Sequence, residues 1–264
     1  MYRQVLLAPF IALVVLAHGA LAATAAKPVP VARCPDQPLS ADYDPSDPES
    51  VRKNFRTAPR IILALGLSRH EQLRALLARG ENPNVCVLGG SVLTLSGASG
   101  DAEEVEILLD GGADPDRPAD SAGGTPLLMV LGLGQLEVAR LLIARGADVR
   151  ATTDGNMTSL IELASSSPPP GLRAEQVDLA QALIDRGVPI DARLSGPRTT
   201  ALMMASIRGN KPLVQLLLQR GADPALKDNK GQTALSFALK KGHADVAEVL
   251  SVATSSAPSA SAPQ

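Results

Sequence analysis

Apolar residues recur along most of this chain in pairs of short runs separated by a turn. In the clearest copy, residues 120–152, both runs have the spacing of a helix face, and their apolar positions are Leu127, Leu128, Val130 and Leu131, then Leu136, Val138, Leu141 and Leu142. Thr125 and Pro126 suit the start of a helix, where a hydroxyl caps the backbone and a missing N–H costs nothing. The pattern predicts two helices joined by a turn at residues 132–135.

A short phrase built around a glycine, Gly146-Ala147-Asp148 in the clearest copy, follows the second run of each of the first five copies. This glycine-centred phrase recurs at a nearly regular interval. Glycine ends a helix in the left-handed conformation, so we expect each copy to stop one helix and to lead into the next hairpin. A fixed period in the low thirties indicates a stack of repeats. In the last copy residues 251–254 replace the phrase, so the stack should stop there. The glycines are 32, 34, 41 and 34 residues apart, at Gly80, Gly112, Gly146, Gly187 and Gly221.

The same pair of helices is predicted six times along the chain. The 41-residue interval contains an insertion at residues 165–172, whose prolines must loop out between two helices. This loop is either an added binding element or a neutral expansion. The paired segments are 59–61 with 71–78, 91–93 with 102–110, 125–131 with 136–144, 158–160 with 174–185, 200–202 with 212–219, and 233–235 with 244–250.

The order Asp-x-x-Gly-x-Thr-Pro-Leu, helix, turn, helix, Gly-Ala-Asp resembles the ankyrin repeat. The resemblance implies an all-α ankyrin-repeat solenoid of about six helix-turn-helix repeats with β-hairpin loops, over residues 57–254. The matching residues are Asp120, Gly123, Thr125, Pro126, Leu127, Gly146, Ala147 and Asp148, and in the last copy Asp228, Gly231, Thr233, Leu235, Gly242 and His243.

One feature of the family is absent from every copy. The histidine that usually follows Thr-Pro-Leu is replaced, so the hydrogen bonds that it makes between neighbouring turns should be missing or made by other groups. The residues at that position are Ile62, Thr94, Leu128, Ile161, Met203 and Ser236.

Composition agrees with a stack of repeats and reveals an uneven charge. The chain is 45% hydrophobic but only 2% aromatic, with no Trp, which suits the small and medium aliphatic side chains packed between repeats. From residue 196 onward there are eight basic and four acidic side chains, a net charge of +4. Because the whole chain carries −2, the remaining residues carry −6. This asymmetry points to the C-terminal repeats as a distinct surface.

The N-terminus has the features of an export signal. Arg3 precedes an apolar run at residues 5–17, and Ala20 and Ala22 are small residues suited to cleavage. Residues 1–22 are predicted to be a signal peptide, with cleavage after Ala22 or alternatively after Ala25 or Ala26; an uncleaved anchor is the other interpretation. Residues 23–56 are predicted to be an extended N-terminal segment or cap, and residues 255–264 a disordered tail. The expected location is the periplasm, with secretion also open.

Two cysteines remain after the predicted cleavage, Cys34 and Cys86. In an oxidising compartment an even pair predicts a disulfide, which would fasten the N-terminal segment to the first repeats. Two separate thiols are the alternative.

No catalytic, cofactor-binding or metal-binding constellation is found in the sequence, and no cofactor is predicted. His70 and His243 are far apart in the repeats; we interpret His70 as a surface residue at a helix start and His243 as a structural residue of a turn. The neighbouring acids Glu103, Glu104 and Glu106 are interpreted as a solvated helix face. The chain is therefore predicted not to be an enzyme.

The candidate binding surface is a set of basic residues in the last two repeats. By resemblance, hairpin tips and the ends of first helices line one concave side, which is where the register places them. They indicate a protein partner with an acidic patch, attracted electrostatically, and the alternative is an ordinary solvated end. Nucleic acid is not expected, because aromatic stacking residues are scarce. The residues are Arg198, Arg208, Lys227, Lys230, Lys240 and Lys241.

These features predict a non-enzymatic interaction protein of the bacterial periplasm, monomeric when free and without a membrane span after cleavage. Its resemblance to exported bacterial ankyrin-like proteins implies that it binds and inhibits, or protects against, a lytic or toxic enzyme. Two alternatives remain open: an assembly or maturation partner of a periplasmic enzyme such as a catalase, and a secreted effector acting on a host protein.

Overall fold

The computed structural model describes residues 60–65, 70–87, 90–118 and 123–256. The chain divides into two compact units, residues 1–154 and residues 155–264, and each is described by itself. The predicted signal peptide, residues 1–22, and the segment at residues 23–56 lie outside the described residues.

The described part of the first unit contains three helix pairs. A two-residue antiparallel ladder follows the first pair, with Cys86 opposite Ser91 and Val87 opposite Gly90. The elements are α1 (Arg60–Leu65), α2 (His70–Ala78), β1 (Cys86–Val87), β2 (Gly90–Ser91), α3 (Val92–Ser99), α4 (Ala102–Asp110), α5 (Pro126–Gly132) and α6 (Leu136–Ala144).

The described part of the second unit also contains three helix pairs. A short 3₁₀ helix, Pro170–Leu172, precedes the second helix of its first pair. The elements are α7 (Ser159–Ser165), α8 (Arg173–Asp185), α9 (Ala201–Ile207), α10 (Lys211–Gln219), α11 (Ala234–Lys241) and α12 (Ala244–Ser256).

Within each unit, equivalent helices of successive pairs pack against each other. In the first unit α3 contacts α5, and α4 contacts both α2 and α6. In the second unit α9 contacts α7 and α11, and α10 contacts α8 and α12. Each pair thereby buries its apolar face against the next copy, as stacked repeats do. The predicted all-α fold class is confirmed.

Leucine, valine and alanine side chains form the core of both units. Of the apolar positions predicted for the clearest copy, Leu127, Val130 and Leu131 are fully buried, and Leu136, Val138 and Leu142 are at most 2% exposed. Leu141 is half-buried and Ala139 is buried instead.

A hydroxyl caps the first helix of five pairs. Each cap accepts a hydrogen bond at 3.2–3.3 Å from the backbone N–H three residues later, which satisfies a donor that the helix cannot. The predicted role of Thr125, followed by Pro126 as the first helical residue, is confirmed. The caps are Ser91, Thr125, Thr158, Thr200 and Thr233.

The glycine-centred phrase ends the second helix of the first five pairs, as predicted. Gly146 has φ +93°, and the N–H of the next residue, Ala147, closes the helix by donating to the Leu142 carbonyl at 3.0 Å. Asp148 then accepts the Arg150 N–H at 2.9 Å, which turns the chain into the hairpin.

Carboxylate and amide oxygens connect neighbouring turns where the family's histidine is absent. The acceptor is the side chain four positions after the phrase glycine. The donor is the backbone N–H of the aspartate that lies two positions after the phrase glycine of the next copy. These bonds join Asn84 to Asp114 at 2.8 Å, Asp116 to Asp148 at 2.8 Å, and Asp191 to Asp223 at 3.2 Å. These bonds join neighbouring hairpins, and the expected loss or replacement of the histidine's own hydrogen bonds stays a prediction.

The structure shows where the C-terminal helix and the insertion begin and end. The helix α12 continues to Ser256, so the predicted tail boundary after residue 254 is two residues too early; residues 257–264 lie outside the described residues. The insertion at residues 165–172 begins with the last residue of α7 and ends in the 3₁₀ helix. Of the described helices, none has both the length and the apolar character needed to cross a membrane.

Candidate protein-binding surface

The six candidate basic residues lie at two levels of the last two helix pairs. Arg198 lies in the hairpin before α9, and Lys227 and Lys230 lie in the hairpin before α11. Arg208 follows the last residue of α9, and Lys240 and Lys241 form the last turn of α11. We call these six residues the basic surface.

Direct contacts join the neighbouring residues of the basic surface within each of its two levels. The helices α9 and α11 pack against each other, so their C-terminal ends are neighbours. The two hairpins are joined by a hydrogen bond of 3.0 Å from the Asn229 N–H to the Pro197 carbonyl. The structure therefore brings the predicted residues together on two adjacent repeats.

All six side chains of the basic surface are exposed, and none makes an ion pair or side-chain hydrogen bond with the described residues. Arg220, on the second-helix side of the same unit, behaves differently: its guanidinium bonds to the Asp185 carboxylate and to Gln181 Oε1. Exposed cations without an internal partner create a positive electrostatic potential at the surface, which attracts a negatively charged binding partner.

The carboxylates nearest to the hairpin lysines are held by the backbone. Asp228 Oδ1 accepts the N–H groups of Lys230 at 2.8 Å and Gln232 at 2.7 Å. Asp223 Oδ1 accepts the Ala225 N–H at 2.8 Å. These acids stabilise their turns and make no ion pair with the lysine side chains.

Helix geometry gives part of the reason for the position of two lysines. Lys240 and Lys241 lie at the C-terminal end of α11, where the helix dipole favours positive charge. The hairpin residues Arg198, Lys227 and Lys230 have no such explanation.

The insertion at residues 165–172 is anchored at its start. Ser166 is buried, and its hydroxyl donates to the Leu163 carbonyl at 2.8 Å. The fully buried Gln176 donates to the same carbonyl at 2.6 Å and to Ser166 Oγ at 3.1 Å, and Asn210 Nδ2 donates to Gln176 Oε1 at 2.7 Å. The insertion thus begins in a neutral buried network, and its role in binding stays a prediction.

Only one of the two cysteines belongs to the described residues. Cys86 begins β1, and its Sγ accepts a hydrogen bond from Arg117 Nη2 at 3.4 Å. Cys34 lies outside the described residues, so the predicted bridge between Cys34 and Cys86 stays a prediction.

Sequence reasoning missed a titratable cluster in the first unit. His70 is half-buried and bridges two carboxylates of α4 and its cap, with Nε2 at 3.0 Å from Asp101 Oδ2 and Nδ1 at 3.1 Å from Glu103 Oε2. Burial opposes a charged imidazole, but the hydrogen bond and charge of Asp101 outweigh it and raise the pKa of His70. The predicted exposed His70 is thus an inter-repeat contact.

The interpretation of the acids as a solvated face is wrong for Glu104. Its side chain is 4% exposed, and its Oε1 has no hydrogen-bond partner. Burial, with the nearby charge of Asp101, raises the pKa of Glu104 to about 8. The repeat register contains the missed signal, because the equivalent buried positions are Val138, Leu179, Leu213 and Val246.

His243 has the structural role predicted for it, since its Nε2 lies 3.0 Å from the Ile207 carbonyl of the preceding repeat. Among the residues that the structure describes, no group of three or more His, Cys, Asp or Glu side chains could hold a metal ion.

Comparisons with known proteins agree with the repeat structure. The family model described as ankyrin repeats (3 copies) matches residues 61–153 and 172–257, which is more than half of the chain. The nuclear factor NF-kappa-B p105 subunit of Gallus gallus is 30% identical over 182 residues, 68% of this chain and 18% of that protein. The ankyrin repeat and KH domain-containing protein mask-1 of Caenorhabditis elegans is 30% identical over 165 residues, 61% of this chain and 6% of that protein.

The similarity is limited to the repeats, because this chain spans less than a fifth of the length of these relatives. Ankyrin repeats indicate a protein–protein interaction module. On the match over both units, the chain belongs to the ankyrin repeat family.

Proposed function

We propose that this protein is a non-enzymatic interaction module of the bacterial periplasm that binds a lytic or toxic enzyme and inhibits it or protects against it. One observation carries the proposal: the last two repeats present six exposed basic side chains that have no partner among the described residues. Structural ion pairs on the second-helix side show that this chain can neutralise its own arginines where that serves the fold.

The mechanism that we propose is electrostatic capture followed by steric blocking. An acidic patch on the enzyme is attracted to the basic surface over several ångströms, which accelerates encounter and selects against basic partners. The repeats then cover the enzyme's active-site cleft. No residue of this chain takes part in chemistry.

The periplasmic location rests on the N-terminal sequence. Arg3, the apolar run at residues 5–17 and the small residues Ala20 and Ala22 support export and cleavage after Ala22. Sequencing the N-terminus of the protein purified from a periplasmic fraction should show a start at Ala23. An intact Met1, or recovery only in the cytoplasm, contradicts this location.

Affinity capture tests the function. The full chain, exported and immobilised, should retain one stoichiometric acidic protein from a periplasmic extract at low salt and release it at high salt. Adding the chain to the purified captured protein should lower that protein's lytic activity. An oxidoreductase whose activity rises on addition would favour a maturation role instead, and the absence of any stoichiometric partner would reject the proposal.

A further inference from the structure

Four hairpins share one backbone conformation just before the first helix that follows them. The residue two positions before the capping threonine has a positive φ in four copies, a conformation that glycine adopts without cost and other residues do not. These residues are Gly123 with φ +81°, Asn156 with +58°, Arg198 with +58° and Gly231 with +75°.

Of the two non-glycine residues in this group, only one has a structural task. Asn156 Nδ2 donates to the Arg193 carbonyl at 2.6 Å and so joins two hairpins. Arg198 is exposed, and its guanidinium contacts no described partner. A strained backbone that is kept for an unpartnered side chain indicates a function for that side chain.

The backbone around Arg198 is held from both sides. Its N–H donates to the Leu194 carbonyl at 3.0 Å, and the Leu194 N–H donates to the Thr199 carbonyl at 3.1 Å. Pro197, the preceding residue, accepts the Asn229 N–H of the neighbouring hairpin at 3.0 Å. The base of the side chain is therefore fixed before binding, which reduces the entropy lost when a partner is bound.

We infer that Arg198 determines the specificity of the basic surface by pairing through its guanidinium with a carboxylate on an acidic segment of the partner protein. The planar guanidinium forms two parallel hydrogen bonds with a carboxylate, which a lysine cannot do. Lys227 and Lys230, on the adjoining hairpin, add charge for neighbouring carboxylates. This inference rests on the proposed function and adds the residue and the chemical group that it recognises.

The test uses the full chain and a labelled oligoglutamate peptide, with oligoglutamine as the uncharged control, in a low-salt binding titration. Arg198→Gly should weaken oligoglutamate binding about tenfold, while its thermal midpoint stays at or above that of the wild type because the strain is removed. Arg198→Lys should weaken binding about threefold, because lysine keeps the positive charge but cannot form the two parallel hydrogen bonds of a guanidinium. The matched control Asn156→Gly should lower the midpoint and leave binding unchanged.

Two results overturn the inference, and they are distinguishable. If the Arg198 variants bind like the wild type while Arg208→Glu/Lys240→Glu/Lys241→Glu binds weakly, the special role of Arg198 is wrong and the basic surface stands. If the wild type binds oligoglutamate no better than oligoglutamine, the acidic-partner part of the proposed function fails as well.

Discussion

The two units place their charged and polar groups in opposite ways. In the first unit, charged groups face each other where the first two helix pairs meet: His70 contacts Asp101 and Glu103, and Glu104 is buried beside them. In the second unit, the corresponding inner contact between Gln176 and Asn210 is made by neutral amides, and the cations remain outside.

This difference separates structural charge from charge that is available to a partner. Charges enclosed between repeats make folding stability depend on pH, because their protonation differs between the folded and unfolded chain. Charges that contact nothing within the chain contribute little to stability and much to a surface field. We therefore expect pH to act mainly on the first unit, and charge-reversing substitutions in the basic surface to change binding without unfolding the chain.

The largest predicted effect on stability is that of the disulfide between Cys34 and Cys86. In the chain-entropy model a bridge closing a loop of this length stabilises the fold by about 4 kcal/mol. Urea unfolding with and without reductant, beside Cys34→Ser/Cys86→Ser, should show this loss. Reaction of both thiols with maleimide before any reduction would show that no bridge exists.

Glu104 should give the first unit its pH dependence. Its folded pKa of about 8 lies above its ordinary value of 4.5, so the free energy of unfolding is highest in acid and falls as the pH rises between these values. The loss should be about 2–4 kcal/mol, allowing for partial solvation of the carboxylate. The raised pKa of His70 acts in the same direction, because its ion pairs are lost as the pH rises through that pKa.

Urea unfolding at pH values below and above this range measures that dependence. Glu104→Gln should flatten the pH profile and stabilise the chain in alkali, whereas the exposed control Glu106→Gln should leave it unchanged. Equal pH profiles for the wild type and Glu104→Gln would contradict the burial of a titrating carboxylate.

Asn210 should give the second unit a pH-independent contribution. Asn210→Ala removes the cap that accepts the Leu213 N–H at 3.2 Å and leaves Gln176 Oε1 buried without its donor. The expected loss is about 2–3 kcal/mol at every pH, because no ionisable group is involved. Asn210→Ser, which keeps a capping oxygen but not the amide, should cost less. A cost that changes with pH would argue against a neutral contact.

The smallest predicted effect belongs to the ion pairs on the second-helix side of the first unit. Arg145 bonds to Asp110 at 2.6 Å and Glu106 at 2.7 Å; both carboxylates are exposed and the guanidinium is half-buried. Arg145→Gln should change the urea midpoint only slightly, and high salt should remove the difference. A large decrease in the urea midpoint that persists in high salt would contradict a small contribution of these ion pairs to stability.

Periodicity was sufficient to predict the helix pairs, their caps and the glycines that end them, because these depend on local spacing and hydroxyl or glycine chemistry. The turn-to-turn bonds of Asn84, Asp116 and Asp191 could not be predicted, since they depend on distances between repeats. Glu104 could have been found by aligning the copies, because its register position is apolar and buried in four of the other five copies.

The sequence predicted which residues belong to the candidate site, but it did not predict how they are arranged in space. The charge imbalance after residue 196 identified the basic surface. The neighbourhood of its residues within each level depends on the packing of α9 against α11 and on the hairpin bond of Asn229, which are tertiary contacts. The left-handed backbone of Arg198 was detectable by register with Gly231, although arginine itself gives no such signal.

The most direct test of the central claim is the dissociation constant for the periplasmic protein that the chain captures, measured at low salt for two charge-reversed variants. Arg208→Glu/Lys240→Glu/Lys241→Glu reverses half of the basic surface. Arg79→Glu/Arg173→Glu reverses two cations outside the last two repeats that also lack a partner among the described residues. The first variant should bind more than about tenfold more weakly than the wild type, and the second within about twofold of it. Equal affinities for the two variants would contradict the claim that the basic surface is the binding site.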